Sequence, residues 1–257
     1  MKMRIVSISL WLLFLSSFCF TAFSQEERLE KFRQGTGFYS GGDYEKALDL
    51  WLDIYNTGYR SAELMYNIGN AYFKLDSVPS AILFYERALL RKPADEDINY
   101  NLQIAKTLVV DRFEEIPELF FVRWYNSLAL IRSTNSWAKL SLISFVVFLI
   151  SLSLYFYTSR YKFKVAGFWL ALLFFLISFT SLTLSFRNRA LVENNTAAII
   201  MSPQVNGKSS PDSSGTDLFV LHEGTKVEIE DEVGEWLEIR LSDGNKGWIP
   251  ANCLEII

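Results

Sequence analysis

The chain has 257 residues, half of them hydrophobic, with one histidine, two cysteines and a formal net charge of −4. So few histidines and cysteines exclude a zinc site, an iron–sulfur cluster and a disulfide framework, and the sequence indicates no cofactor. Residues 25–115 carry 11 cations against 16 acids, and residues 194–257 carry 4 against 11. Acidic segments repel a phosphate backbone, which excludes nucleic acid as a partner. Residues 116–193 carry 8 cations against 2 acids and suit an anionic membrane surface.

The first 24 residues are typical of an export signal peptide. Lys2 and Arg4 precede a long uncharged run, and Ala22 and Ser24 place small residues at the −3 and −1 positions of a cleavage site. Because the apolar run is long for a cleaved signal, an uncleaved anchor is one alternative and a buried core helix is another.

Residues 25–112 contain a 34-residue period. Small and aromatic residues recur at this spacing, pairing Gly35 with Gly69, Phe38 with Tyr72, Ala47 with Ala81 and Trp51 with Tyr85. The copies at 28–61 and 62–95 resemble tetratricopeptide repeats, which implies an α-helical array of helix pairs, and a closing helix is predicted over 96–110. Two repeats fall below the usual minimum of about three, so we expect the array to lean on the membrane or on a partner.

The first helix of each tetratricopeptide pair lines a concave face, which implies a binding groove. Asn67 and Asn101 are 34 residues apart, and Asn70 lies one helical turn beyond Asn67. A side-chain amide can donate to and accept from the backbone of an extended peptide. We therefore predict a peptide-binding groove, with solvated or turn-capping residues as the alternative; its residues are Tyr66, Asn67, Asn70, Phe73, Tyr100 and Asn101.

An amphipathic helix is predicted over residues 116–135. Phe120, Trp124 and Leu128 fall on one face at helical spacing, directly before a long apolar run. This pattern favours a helix at the membrane interface. A helix that covers the open end of the repeat array is the alternative.

Two uncharged runs are long enough to span a membrane, and they predict transmembrane helices over 137–158 and 165–186. The link at 159–164 is short, so the helices form a hairpin. An export signal places the repeats outside, and two spans return the C-terminal region to the same side. The link is then cytoplasmic, as its cations favour, although Arg132 and Arg187 flank the outer ends. We predict a protein of the bacterial inner membrane with both acidic regions facing the periplasm.

Residues 194–257 alternate between apolar and polar positions, as in Leu237 and Ile239, with glycines between short strands. Stretches that resemble bacterial SH3-like domains cover nearly all of this segment: Val205–Ser214, Glu223–Val227, Gly234–Arg240 and Gly247–Pro250. The resemblance implies an all-β barrel that binds cell-wall material or proteins. Trp236 and Trp248 are expected in its core.

The sequence offers no catalytic constellation. His222 and Glu223 begin like a zinc-protease motif, but Lys226 stands where the second histidine is needed. Gly207-Lys208-Ser209 ends like a phosphate-binding loop, but Ser202 replaces its first glycine. We predict that His222 is structural and that the protein is not an enzyme.

The order of these parts resembles the BatE family of the Bacteroides aerotolerance operon, especially at Pro117–Trp124 and Gly215–Val227. The resemblance implies partnership with von Willebrand A-domain membrane proteins and a MoxR-type ATPase system, in envelope stress or aerotolerance. The leading hypothesis is a membrane-anchored scaffold in which the repeats and the SH3-like domain bind different protein sites. The alternative is a cell-wall binder or sensor that holds peptidoglycan through the SH3-like domain.

Overall fold

The computed structural model describes residues 25–113, 119–193 and 196–257. The signal peptide predicted over 1–24 lies outside the described residues, as does the start of the helix predicted over 116–135. The described chain forms a helical region, a long two-helix hairpin and an antiparallel sheet.

The helical region consists of five consecutive helices. Residues 25–40 form α1, and the next four are α2 (Tyr44–Asn56), α3 (Ala62–Lys74), α4 (Val78–Arg91) and α5 (Glu96–Thr107). The side chains of Asp43, Ser61 and Asp95 accept hydrogen bonds from first-turn N–H groups of α2, α3 and α5, and so satisfy donors that have no intrahelical partner. The closing helix predicted over 96–110 is α5, which ends at Thr107.

The 34-residue period is visible in the packing. A Cβ atom on Gly35 would lie 2.6 Å from Nε1 of Trp51, and one on Gly69 would lie 2.7 Å from the ring of Tyr85. In both copies, therefore, a glycine of one helix lets an aromatic ring of the next helix lie directly against its backbone. The rings of Trp51 and Tyr85 are almost fully buried as a result.

Helix α4 lies at the centre of the helical region. All six residues from Ala81 to Glu86 are buried, so the helix is enclosed on every side. It contacts α3, α5 and strand β1 (Ala197–Ile200), and Ile199 of that strand belongs to the same hydrophobic core. The five helices thus lean on the sheet of their own chain, a contact that the sequence did not predict.

Helix α6 (Phe120–Leu130) is shorter than the helix predicted over 116–135, because the extended backbone of Ser133 separates it from the next helix. It packs against α8, and Arg187 donates to Asn126 at 3.0 Å. Its aromatic residues remain exposed, Phe120 at 80% and Trp124 at 65%. Of the two interpretations from sequence, this arrangement favours the interfacial helix over one that covers the array.

The hairpin consists of α7 (Thr134–Tyr157) and α8 (Tyr161–Glu193), and both are long and apolar enough to cross a membrane. Small polar residues form the seam between them: Ser141 and Ser178 donate to each other's backbone carbonyls at 3.0 Å. The apolar side chains point outward and are largely exposed. A soluble core helix has the opposite distribution, whereas transmembrane helix pairs meet through small residues.

The connection in the hairpin is shorter than the link predicted over 159–164. Residues 161–164 form the first turn of α8, and the same helix continues past residue 186 to Glu193. The charged residues in these turns end the apolar run but not the helix, since lysine and arginine are good helix formers.

The seven strands of the described residues form one antiparallel sheet in the order β3-β2-β6-β5-β4-β1-β7. After β1 they are β2 (Gln204–Lys208), β3 (Asp217–His222), β4 (Lys226–Val233), β5 (Trp236–Arg240), β6 (Lys246–Pro250) and β7 (Leu254–Ile256). Its core is built from alternate residues such as Leu237, Ile239 and Ile249. Strand β1 contacts α4, and α4 packs against α3 and α5, the helices that carry the predicted groove residues.

Candidate binding surfaces

A small groove on the helical region gathers half of the residues predicted from the sequence. Its volume is about 150 Å³, and Asn70, Phe73 and Asn101 line it. Tyr66 contacts the same groove by accepting a hydrogen bond from Asn101 at 3.0 Å. The other lining residues are Tyr39, Lys74, Tyr85 and Ile104.

The two amides in the groove form a directed hydrogen-bond network. Asn70 Oδ1 accepts from Asn101 Nδ2 at 2.8 Å and from the Tyr85 hydroxyl at 2.7 Å. Burial raises the pKa of Tyr85 well above its usual value, so its hydroxyl stays a proton donor. Among the described residues, Asn70 Nδ2 and Asn101 Oδ1 make no hydrogen bond. This donor and acceptor are the pair that a peptide backbone needs.

Two predicted groove residues lie elsewhere. Tyr100 is 67% exposed and Asn67 is half-buried on α3, and neither lines the groove. Sequence reasoning missed Tyr39 and Ile104, although the repeat contained the signal. Tyr39 is 34 residues before Phe73, and Ile104 is 34 residues after Asn70.

A buried carboxylate joins the helices to the sheet. Glu86 of α4 is 8% exposed, and its carboxylate oxygens lie 2.8 Å from Nζ of Lys106 and 2.8 Å from Nζ of Lys226. Burial alone would raise the pKa of Glu86, but the charges of Lys226 and Lys106 and their contacts outweigh burial and lower it. Glu86 is therefore an anion clamped between one cation from α5 and one from β4.

A second carboxylate caps the turn between β3 and β4. Asp111 follows α5, and its Oδ2 accepts from the backbone N–H of His222 and from the Thr225 hydroxyl, each at 2.7 Å. Its Oδ1 lies 2.8 Å from Nδ1 of the His222 ring. His222, predicted to be structural, thus lies at the end of β3 with its ring held by Asp111.

The same turn approaches the helices closely. Gly224 has φ +85°, and a Cβ atom there would lie 2.9 Å from the Val109 side chain. Arg87 donates to Glu255 of β7 at 2.8 Å. We call this surface the helix–sheet interface; its residues are Ile82, Glu86, Arg87, Lys106, Val109, Asp111, His222, Gly224, Thr225, Lys226 and Glu255.

Acid is expected to weaken the Asp111 contact. Burial alone would raise the pKa of Asp111, but hydrogen bonds from His222 and Thr225 lower it below the usual 3.8. Its stabilisation is therefore complete above that value and is lost as the pH falls below it. In full-length protein in detergent, Asp111→Asn should lower the thermal unfolding midpoint at pH 6, and the difference between the variant and native midpoints should shrink as the pH falls below the usual 3.8. A difference that stays constant down to pH 3 would contradict this role.

The tryptophans of the sheet do not lie in its core, contrary to expectation. Trp236 and Trp248 alternate with the buried Leu237 and Ile249, so they point to the opposite face and are only partly buried. The expectation was wrong because an aromatic residue next to a core position shares its strand but not its face. Across the strands, Trp236 pairs with Pro250 and Trp248 with Glu238, so the two partly buried tryptophans share one face of the sheet.

Within the described ranges, no group of three or more His, Cys, Asp or Glu residues is placed to hold a metal ion. Cys253 is a free thiol and is partly exposed.

The sheet is the part of the chain that is similar to a known protein family. A search with the chain finds no match among curated proteins. Residues 205–255, which run from β2 to β7, match the bacterial SH3 domain family. This part of the chain is therefore similar to bacterial SH3 domains, and the similarity supports a binding role for the sheet.

Proposed function

We propose that the protein is a non-enzymatic, membrane-anchored scaffold whose helical region and SH3 domain bind protein partners outside the cytoplasmic membrane. The observation that carries the proposal is the groove between Asn70 and Asn101. It presents an amide donor and an amide acceptor beside Tyr39, Phe73 and Ile104, which is the combination that binds an extended peptide. The 34-residue packing period supports a tetratricopeptide-type array, and arrays of that type expose concave binding surfaces.

The hairpin supports the anchoring part of the proposal. The exposed apolar side chains of the hairpin and its seam of small residues suit lipid surroundings. Helix α6 packs against α8 and adds exposed aromatic side chains of the kind found at a membrane interface. An anchored pair of binding sites raises the effective concentration of each partner, so weak individual contacts suffice. The resemblance to the BatE family suggests that the partners are von Willebrand A-domain membrane proteins and a MoxR-type ATPase system in envelope stress or aerotolerance.

The topology gives a test of the anchor. The turn that contains Ser159 is proposed to face the cytoplasm, with the SH3 domain outside. In a cysteine-free background, a Ser159→Cys variant should react with a membrane-impermeant thiol reagent only after spheroplasts are permeabilised. The control is Ser242→Cys on the exposed β5–β6 turn, which should react in intact spheroplasts. The reverse labelling pattern would overturn the orientation.

The groove is tested by a charge placed on its rim. Ile104 is 37% exposed and lines the groove, so Ile104→Glu should block an apolar peptide contact without disturbing the core. Partner proteins that co-purify with the native chain after mild crosslinking in cells should be reduced at least about tenfold. The matched control is Leu108→Glu, at a 57% exposed position one turn later on the same helical segment. Equal recovery with both variants would contradict the groove as the binding site.

Cell-wall binding is the second candidate, and the face of the sheet that carries the partly buried Trp236 and Trp248 favours it. Sugars and peptides of the wall pack well against aromatic surfaces. The full-length protein in detergent should then co-sediment with purified sacculi. Absence of co-sedimentation would remove this candidate and leave protein binding.

A further inference from the structure

One cavity in the described part of the chain lies where the helices, the sheet and the hairpin meet. Its volume is about 520 Å³, within the range of about 300–1,000 Å³ that is usual for small-molecule sites. Three arginines line it: Arg60 follows α2, and Arg87 and Arg91 lie one turn apart on α4. Among the described residues, no acidic side chain lines the cavity.

The three arginines are held differently. Arg60 lies over the ring of Tyr55, with 4.1 Å between its guanidinium carbon and the ring centroid, and donates to the hydroxyl of the same tyrosine. Arg87 donates to Glu255 and to the carbonyl of Ile256, and its side chain is only 15% exposed. Arg91 forms no hydrogen bond or ion pair with a described residue and is exposed. Glu255 offsets one of the three positive charges, so the arginines leave the cavity with a net positive charge.

The start of α7 adds to this field. Ser133, Thr134 and Asn135 line the cavity, and no side chain caps the first turn of the helix among the described residues. Backbone N–H groups at a helix N-terminus carry partial positive charge and attract anions. Arginines and N–H groups together are the chemistry that binds phosphate, because planar guanidinium groups donate to two oxygens at once.

The cavity lies just beyond the ends of the two apolar runs of the hairpin. Thr134 precedes the apolar run that starts at Leu140 by six residues, or roughly 9 Å of helix, and Asn188 follows the end of the second run at Phe186 by two residues. These are the depths of lipid headgroups when the hairpin spans a bilayer. Apolar side chains, such as Leu90 and Val192, line the remainder of the cavity.

We propose that this cavity binds a phosphate-bearing anion, with the arginines and the start of α7 contacting the phosphate oxygens. Placement of that phosphate in a lipid headgroup rests on the hairpin being a membrane anchor, as proposed above. A soluble phosphate ester presents the same chemistry. Cations usually lie on the cytoplasmic side of a membrane span, yet Arg132 and Arg187 flank the outer ends of the hairpin. An anion site explains them, because their charges add to the field that attracts the anion.

The test uses full-length protein in micelles of a neutral detergent. Phosphatidylglycerol, phosphatidylcholine and glycerol phosphate are titrated separately, and bound species are counted by native mass spectrometry. We expect phosphatidylglycerol to bind in preference to phosphatidylcholine. Arg91→Gln and Arg60→Gln should each weaken that binding at least about tenfold, the effect of losing one charge-assisted hydrogen bond. Arg91→Lys should recover part of it, since the charge remains.

The matched control is Arg33→Gln, an exposed arginine of α1 that does not line the cavity, which should bind as the native chain does. Arginine-dependent binding of glycerol phosphate would assign a soluble ligand, and its absence together with lipid binding would assign the headgroup. Equal binding of the two lipids, or of native protein and the Arg60→Gln/Arg91→Gln variant, would overturn the proposal. Thermal unfolding of each variant checks that the fold is retained.

Discussion

Replacement of both lysines that clamp Glu86, in a Lys106→Met/Lys226→Met variant, is expected to weaken the docking of the sheet on the helices by about 2–4 kcal/mol. The side chain of Glu86 is 10% exposed, and its carboxylate would remain buried without a counter-charge. A carboxylate left unpaired in a protein interior costs about 3–5 kcal/mol, and the value here is lower because water reaches the two partly exposed lysine positions.

Hydrogen–deuterium exchange measures this loss as faster exchange in α4 and around β4. The informative control adds Glu86→Gln to the double variant. Removal of the buried charge should restore most of the protection, because a neutral side chain no longer pays the desolvation cost of an ion. A double variant that exchanges like the native protein would show that Glu86 is not enclosed by the sheet. An equal loss in the double and triple variants would show that lost packing, rather than the charge, is responsible.

Gly69→Ala is expected to destabilise the helical region by about 1–3 kcal/mol. The added methyl group would lie 2.7 Å from ring carbons of Tyr85 and 3.3 Å from the carbonyl oxygen of Ala81. Tyr85 is 1% exposed and is hydrogen-bonded to Asn70, so it has no space into which to move. The variant should also distort the groove, because Tyr85 and Asn70 both line it.

The control for this substitution lies in the same kind of helix. Gly37 of α1 has no atom within 4 Å of the position that a Cβ would take. Gly37→Ala should therefore stabilise the protein by up to about 1 kcal/mol through helix propensity alone. Thermal or denaturant unfolding of the full-length protein in detergent compares the two. Equal effects of Gly37→Ala and Gly69→Ala would contradict the close approach of α3 and α4.

Local pattern predicted the helices and strands well, because each element depends on the spacing of residues within it. The 34-residue period related Asn67 to Asn101, whereas the residue that contacts Asn101 is Asn70, one helical turn beyond Asn67. The same period could have identified Tyr39 and Ile104, whose positions correspond to those of Phe73 and Asn70.

The helix–sheet interface could not be predicted in the same way. Asp111 and His222 are 111 residues apart, and Glu86 and Lys226 are 140 apart, with the hairpin between them. No periodicity relates such residues, so only the folded chain shows that they meet. Glu86 carried one signal: a lone acid that follows the five apolar residues from Ala81 to Tyr85 needs a counter-charge when that run is buried.

Photo-crosslinking from the groove in growing cells tests the scaffold most directly. A photoreactive amino acid at position 104 lies on the groove, and the same amino acid at position 108 lies on the same helical segment outside it. We predict that position 104 crosslinks to a few membrane-associated proteins and that position 108 does not. Crosslinks of equal yield from both positions, or crosslinks from position 104 to wall fragments alone, would contradict a scaffold that binds proteins through this groove.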